Sequence, residues 1–445
     1  MTDLTAEIDA YLKRLFPITR SITGNGNRET LKILREIVPL KIKEYSSGTK
    51  VYDWVIPKEW NIKDAWIKNS AGEKIIDFKR SNLHVVGYST PVHKRMRLEE
   101  LEKHLHRRED LPAAIPYRTS YYNETWGFCL CHNDYEKHFN GTETYEVFID
   151  SELKSGSLTV GELLIKGKSD KEYLISTYIC HPSLANDNLS GFVMAAFLSR
   201  ELQKRELHFS YRIVFVPETI GAIAYCADNE VAMKRVVAGF VVTTVGGPGR
   251  FGYRQSWEQN CFINSMVEET FHENGIDDFK VYPFDIHGSD ERQYSSQGFR
   301  INIVSITKDK YYDYDYYHTS QDDLKFISAE NIASCLGLYM RTLEKLDKNI
   351  TYINCSPNCE VMLSRRGLYQ KTGGGQVPIF GARNEQDLIL WLLFHADGRK
   401  SLWDISKLLK TPIDELYDLA VQLVGKKLLK EMLRPNNEYR DDRLL

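Results

Sequence analysis

The stretch YLISTYICHPSLANDNLSGFVMAAFLSREL, residues 173–202, decides the fold. It opens with an apolar, aromatic and β-branched run over 173–179, too short for a helix, which reads as a strand buried on both faces. An irregular loop follows, and then apolar residues at helical spacing over 188–202. A strand that leads straight into a helix is the first half of a β-α-β unit. The alternation continues with strands at 211–216, 238–244 and 301–306 and a closing helix at 329–346. The expected class is α/β, a mostly parallel twisted sheet flanked by helices and spanning roughly 155 to 350.

Helical patterns at 4–15 and 27–38 suit helices that pack on this later sheet. Between them and the sheet, residues 48–150 alternate aromatic and β-branched residues with polar ones, so they read as an inserted β-rich domain. Its charged stretch MRLEELEKHLHRRED, residues 96–110, reads as one exposed helix. The resulting division is 1–47 with 151–350, then 48–150, then 351–445. In the last part a Gly run at 373–375 precedes helices at 384–395, 402–409 and 412–424 and a β segment at 427–432, the order of a winged helix. In a DNA reader the helix beginning at Pro412 would enter the groove, where Asp414, Glu415 and Asp418 would repel phosphates. A protein-contact or structural role is therefore expected of it.

With 445 residues the chain can hold two or three cores. A hydrophobic fraction of 42% and a charged fraction of 27% exclude a disordered or fibrous class. A formal net charge of −3 argues against nucleic-acid binding. The N-terminus lacks the apolar core of a signal peptide, and no apolar run approaches the ~18 residues of a spanning helix. A cytoplasmic protein without a membrane partner is expected. The eight cysteines, including the close pairs Cys129 with Cys131 and Cys355 with Cys359, read as thiols, mostly buried.

Four polar segments carry chemistry. His181 and Asp187 lie just past the C-terminal end of the 173–179 strand, where open α/β sheets build their sites. Both are good zinc ligands, although Asp187 also suits a helix cap and His181 a satisfied loop histidine. Glu218 ends the strand RIVFVP (212–217), with Gly221 permitting a tight approach to the next helix. It suits a general base or another cap. In YYDYDYYHTSQDDL (311–324), His318 stands among five tyrosines, including Tyr317, and precedes Asp322 and Asp323. One aspartate suits the second ring N–H of a metal-bound histidine, or Asp322 caps the next helix and the tyrosines pack together. Finally DIHGSDERQY (285–294) gathers His287, Asp290, Glu291, Arg292 and Tyr294.

The order strand-His-loop-Asp, strand-Glu-x-x-Gly, Ser-Asp and Tyr-His-Thr-x-x-Asp resembles the M28 zinc aminopeptidases over roughly 155 to 350. More closely, PITRSITGNG, YICHPSLANDNLSG, VPETIGAIAY, HGSDERQY and YYHTSQDDL resemble the DUF4910 aminopeptidase-like proteins across nearly the whole chain. Those proteins are often found in polysaccharide-biosynthesis gene contexts, and their inserted β domain is called DUF2172. The resemblance implies His181, Asp187 and His318 as metal ligands and Glu218 as general base. M28 enzymes usually hold two metals, using a second glutamate directly after the base and an aspartate after the next strand. Here those places hold Thr219 and Thr243 or Thr244. Three protein ligands and an open fourth position make a single catalytic zinc, so one Zn2+ per chain is expected. Asp290 and Glu291 are the candidates to meet a substrate's ammonium group, and His287, Tyr294, Tyr317 and Asp322 to bind substrate or support the site. The expected activity is hydrolysis of an amide in a peptide or small molecule. The alternatives are a sugar-amide hydrolase and a weakly active or inactive metal-binding scaffold with a protein partner or a second copy of itself.

Overall fold

A computed structural model describes residues 2–369, apart from 140 and 142, and residues 384–432; the Gly run at 373–375 lies outside the described residues. The chain divides into two compact units, Met1–Glu206 with Ser210–Met340, and Leu207–Phe209 with Arg341–Leu445.

The first unit begins with α1 (Thr2–Leu15), α2 (Asn25–Leu34) and β1 (Lys41–Ser46). Four strands then form a separate antiparallel sheet: β2 (Glu59–Lys68), β3 (Lys74–Asp77), β4 (Val92–Arg97) and β5 (Thr144–Lys154), in the order β3-β2-β5-β4. In β5, Tyr145, Val147, Ile149 and Ser151 turn inward at a period of two, the pattern of a sheet with one wet face. The first three close a core with Ala65, Ile67, Ile76 and Phe128.

The segment 96–110 is not one helix. It makes a single α-turn at Leu98–Leu101, a 3-10 turn at Glu102–His104, and then a short strand, Leu105–His106, paired with Phe128–Cys129. Leu98, Leu101 and Leu105 are buried in the sheet's core, and His104 stacks on Trp126 at 3.7 Å. Strand pairing and packing override a helical propensity that is weak per residue.

The chain then builds its main sheet from β6 (Ser157–Ile165), β7 (Glu172–Tyr178), β8 (Ser210–Val216), β9 (Val236–Val241), β10 (Phe251–Arg254), β11 (Lys280–Tyr282) and β12 (Asn302–Lys308). The flanking helices are α3 (Gly191–Leu202), α4 (Ile220–Asp228), α5 (Phe262–Glu273) and α6 (Ala329–Asp347). The order is β1-β6-β8-β7-β9-β12-β10-β11. Its centre, β8-β7-β9-β12, is parallel, while β1, β6 and β10 join antiparallel. Every residue of β7 and β8 is buried, as a parallel sheet covered on both faces requires. The C-terminal ends of the four central strands therefore share one edge.

Where the chain leaves and rejoins this sheet, Glu59 ties the two crossings together. Arg28 of α2 grips its carboxylate with two bonds of 2.8 and 2.6 Å, and the Ser157 N–H donates to it at 3.0 Å. A Cβ at Gly156 would lie 2.3 Å from Glu59 Oε2, so the carboxylate needs glycine there. The Arg28 bonds outweigh burial and hold the Glu59 carboxyl down at about 2. A carboxyl whose pKa falls on folding stabilises the fold above its unfolded value, and that contribution is lost as pH falls through the folded one. Glu59→Gln should therefore cost about 1–2 kcal/mol at pH 7, a difference that closes between pH 4.5 and about 2; denaturant titrations across that range measure it.

The second unit contains β13 (Thr351–Asn354), α7 (Glu385–His395), β14 (Asp397–Ser401), α8 (Leu402–Leu409), α9 (Ile413–Gly425) and β15 (Leu429–Glu431). Its strands order as β14-β13-β15. Ser401 and Asp404 form a capping box that starts α8. Asp414, at the start of α9, accepts from Arg341 at 2.5 Å and Lys348 at 2.7 Å. Among the described residues no helix is long and apolar enough to cross a membrane.

Candidate metal centre

The loops after β7, β8, β9 and β12 meet at the shared sheet edge, the place where parallel α/β sheets build sites. His181 follows β7 by three residues. Asp187 sits in the turn Ala185–Ser190 that enters α3, with non-helical backbone angles of −113° and 82°, so it is not a simple first-turn residue. His318 comes from the Tyr-rich loop after β12 with a left-handed φ of 56°.

Single donor atoms of His181, Asp187 and His318 all lie within 4.8 Å of one another. His318 Nε2 stands 3.1 Å from Asp187 Oδ2, yet this buried nitrogen makes no directional hydrogen bond. Two ligands of one tetrahedral zinc stand about 3.3 Å apart, given bonds of about 2.0–2.1 Å. An orphaned nitrogen at this spacing, beside a carboxylate and a second imidazole, fits a zinc ion. Protonation states agree. Burial pushes His181 down to about 4, with opposition from Asp187 and help from His318 and Arg20, so it is a neutral imidazole at pH 7. Burial pushes Asp187 up, but His181, His318 and Tyr178 outweigh it and hold the carboxyl below its usual range.

The Asp187 loop is held from behind. The Asp322 carboxylate accepts from the Asn186 N–H at 2.6 Å, the Asp187 N–H at 3.0 Å and the Tyr314 hydroxyl at 3.0 Å. Burial, reinforced by Asp187, pushes its carboxyl up to about 7. Asp322 thus supports Asp187 rather than the imidazole of His318. The other oxygen of Asp187, Oδ1, accepts from the Tyr178 hydroxyl, which also contacts Thr243 Oγ1 at 2.7 Å.

Glu218 follows β8, and Gly221 allows the tight turn into α4, since a Cβ there would lie 2.6 Å from Pro217 Cδ. Its side chain is 28% exposed to the cleft, with Oε2 3.9 Å from His181 Nε2. Ser289 donates to Oε1 at 2.6 Å. Burial and the Asp187 charge raise its carboxyl to about 7. The cleft above, about 380 Å³, is lined by His287, Tyr317, His318, His181 and Glu218 together with Thr219, Arg292, Tyr312 and four residues from the inserted segment, Tyr117, Arg118, Thr119 and Tyr121.

Three of the anticipated residues lie elsewhere. Asp290 is fully buried and accepts from the Thr219 N–H at 2.7 Å; burial and Glu218 raise its carboxyl well above the usual range. Glu291 is buried with its Oε1 on Ser305 at 2.8 Å, and Tyr294 is buried against Ser176 at 2.8 Å. The short helix Glu291–Tyr294 turns these groups into the protein, so neither carboxylate is part of the cleft lining.

Other residues at the site escaped the sequence reading. Tyr117 packs against both histidines at 5.3 and 5.1 Å, and its N–H donates to the His318 carbonyl at 2.8 Å. Nothing in PYRTSYYN announces this, because the pairing spans roughly two hundred residues of chain. Arg20, buried to 1%, donates to the His181 carbonyl at 2.8 Å and the Leu15 carbonyl at 2.7 Å. The motif PITRSITGNG was visible; its reach to the His181 loop was not.

Sheet, edge and donor set together define an aminopeptidase-like α/β fold. The chain belongs to the family described as a domain of unknown function, DUF4910, which matches residues 9–349; residues 350–431 match a winged helix-turn-helix. A Clostridium acetobutylicum protein, whose name couples polysaccharide biosynthesis with an aminopeptidase-like domain, is 44% identical over 400 residues, 90% of each chain. A crystal structure from the same organism, provisionally named a peptidase, superposes with a TM-score of 0.84 at 41% identity over 97% of both chains. A zinc aminopeptidase of Bacillus subtilis shares the fold, with a TM-score of 0.55 at 13% identity over 77% of this chain and 95% of its own.

Asp322→Ala removes the acceptor of two buried backbone N–H groups. It should lower stability by about 2–5 kcal/mol, measured by denaturant unfolding, whereas a change within ~0.5 kcal/mol would show that the loop holds itself.

Proposed function

We propose that this protein is a mononuclear zinc-dependent hydrolase of amide bonds, holding one Zn2+ through His181, Asp187 and His318 and using Glu218 as general base. The convergence of the three donor atoms beside a partly exposed carboxylate carries the reading. A count of one is supported by Asp187. Its Oδ1 already accepts from Tyr178, and Thr219 and Thr243 supply no carboxylate for a second ion. The division into 1–47 with 151–350, an inserted DUF2172-like 48–150 and a winged-helix 351–445 belongs to the same reading, supported by the separate sheet and core of β2 to β5. So does a cytoplasmic setting, supported by eight free thiols.

Bound zinc supplies a Lewis acid and lowers the pKa of a water it holds. The chain's own groups do the rest. Ser289 occupies Oε1 of Glu218 and leaves Oε2 facing His181, so that oxygen takes the proton as water adds to the amide carbon. The same carboxyl returns the proton to the departing nitrogen as the C–N bond breaks. Its raised pKa suits a group that must both accept and donate near neutral pH. Tyr117 and Tyr317 cover the imidazoles, Tyr317 stacking on His318 at 3.9 Å, and restrict water around them.

Elemental analysis of protein purified with zinc should give one ion per chain, and His318→Ala should abolish it. Glu218→Gln should keep the ion and lower kcat at least ~10²–10⁴-fold on whichever substrate class turns over among peptides, N-acyl amino acids and N-acyl amino sugars. Two tightly bound ions would refute the mononuclear site. A zinc-loaded wild type inert on all three classes would favour a metal-binding scaffold.

A further inference from the structure

An aminopeptidase must neutralise the substrate's ammonium group, and this cleft is built with the opposite charge. Apart from Glu218, its lining contains no carboxylate. Asp290 and Glu291, next in sequence to the wall, are buried to 0% and 1%. Arg118, Arg292 and His287 instead stand at the opening, and none of the three is buried.

Arg292 is held in place by neutral partners. Its Nη1 donates to the Ile286 carbonyl at 3.0 Å, and its Nη2 lies 3.4 Å from Thr219 Oγ1. Among the described residues neither Arg292 nor Arg118 has a carboxylate at ion-pair distance, so both guanidinium charges are available to a ligand. Thr219 directly follows Glu218, and its N–H is fixed by Asp290 at 2.7 Å. This turn sets Arg292 against the residue that follows the proposed base, and both side chains line one cleft with the two histidines. A guanidinium fork fits carboxylate and phosphate oxygens, and repels an ammonium group in the same place.

We infer that the cleft selects an amide substrate bearing an anionic oxygen group, a carboxylate or a phosphate, which Arg292 holds, and that it discriminates against substrates with a free ammonium there. Peptides would then be poor substrates through their N-termini, and acylated acids or phosphorylated amides better ones. The inference rests on the zinc-site reading proposed above.

Hydroxamates test both separately, because the hydroxamate binds zinc and its tail probes the wall. Full-length zinc-loaded protein of measured zinc content is titrated calorimetrically with propionohydroxamate, succinic monohydroxamate, phosphonoacetohydroxamate and β-alanine hydroxamate. The two anionic probes should bind at least ~10-fold tighter than the neutral one, as one charge-assisted hydrogen bond to Arg292 would provide. The ammonium probe should bind more weakly than the neutral one, because it meets a like charge. The tighter anionic probe identifies carboxylate or phosphate as the source. Arg292→Ala should erase the preference, Arg292→Lys retain part of it, and Arg292→Glu reverse it. Zinc-dependent binding without charge preference, or an ammonium preference, overturns the inference and leaves the zinc site standing. No binding by any probe, or no zinc in the protein, overturns both. A preference that survives Arg292→Ala overturns the assignment to Arg292.

Discussion

Asp187 is a carboxylate taken out of water, and burial of an unpaired charge is among the most expensive acts in folding. Everything around it serves to offset that cost. Tyr178 donates to one oxygen, His318 stands against the other, and His181 lies within 4.8 Å of the same carboxylate. Its own backbone is fixed by Asp322, which is itself a buried acid kept largely satisfied by two N–H groups and a tyrosine. Removing any member leaves a polar group stranded, so the loop after β7, the loop after β12 and the start of α3 hold one another in position. A cation bound among these donors would complete the compensation.

The sheet was legible because burial on both faces leaves a continuous apolar run, and β7 and β8 were located within a residue of their observed limits. Helices announced themselves by period, as Leu402–Leu409 shows. Among the anticipated residues, His181, Asp187, Glu218 and His318 are gathered at one edge, because a position just beyond a parallel strand can be read from the strand itself. What could not be read was direction. Asp290 lies one residue from Ser289, which donates to Glu218, yet a short helix turns it onto the Thr219 N–H instead of into the cleft. Tyr117 and Arg20 were illegible for a different reason. Their partners lie far away along the chain, and single-sequence periodicity carries no information about such pairings.

Those long-range pairings give the inserted segment and the N-terminal motif a shared purpose. Residues 115–117 pair with the His318 loop through the Tyr117 N–H to His318 carbonyl bond and the Ser320 N–H to Ile115 carbonyl bond at 2.8 Å each. Arg20 and Phe16 hold the His181 loop, the latter through Ser183 at 2.8 Å. Each histidine is therefore positioned by chain from outside the sheet. Glu59, which joins α2 to both crossings of the insertion, fixes the base from which that segment reaches the cleft.

Backbone strain follows the same distribution. His318, Thr219 and Thr244 all adopt positive φ, at 56°, 63° and 50°, and two of the three are β-branched, for which this region is least favourable. Each such residue costs roughly 1–3 kcal/mol and persists only where the surroundings over-determine it. The strands that end at this edge are buried and regular, so the sheet supplies the stability that the loops consume. At Thr219 the strain has a chemical result. The unusual turn aims its N–H at Asp290 and its side chain at Arg292, while Glu218 before it faces His181. The strained residue is therefore the link that ties the Asp290 carboxyl on one side and the Arg292 guanidinium on the other to the turn that follows Glu218.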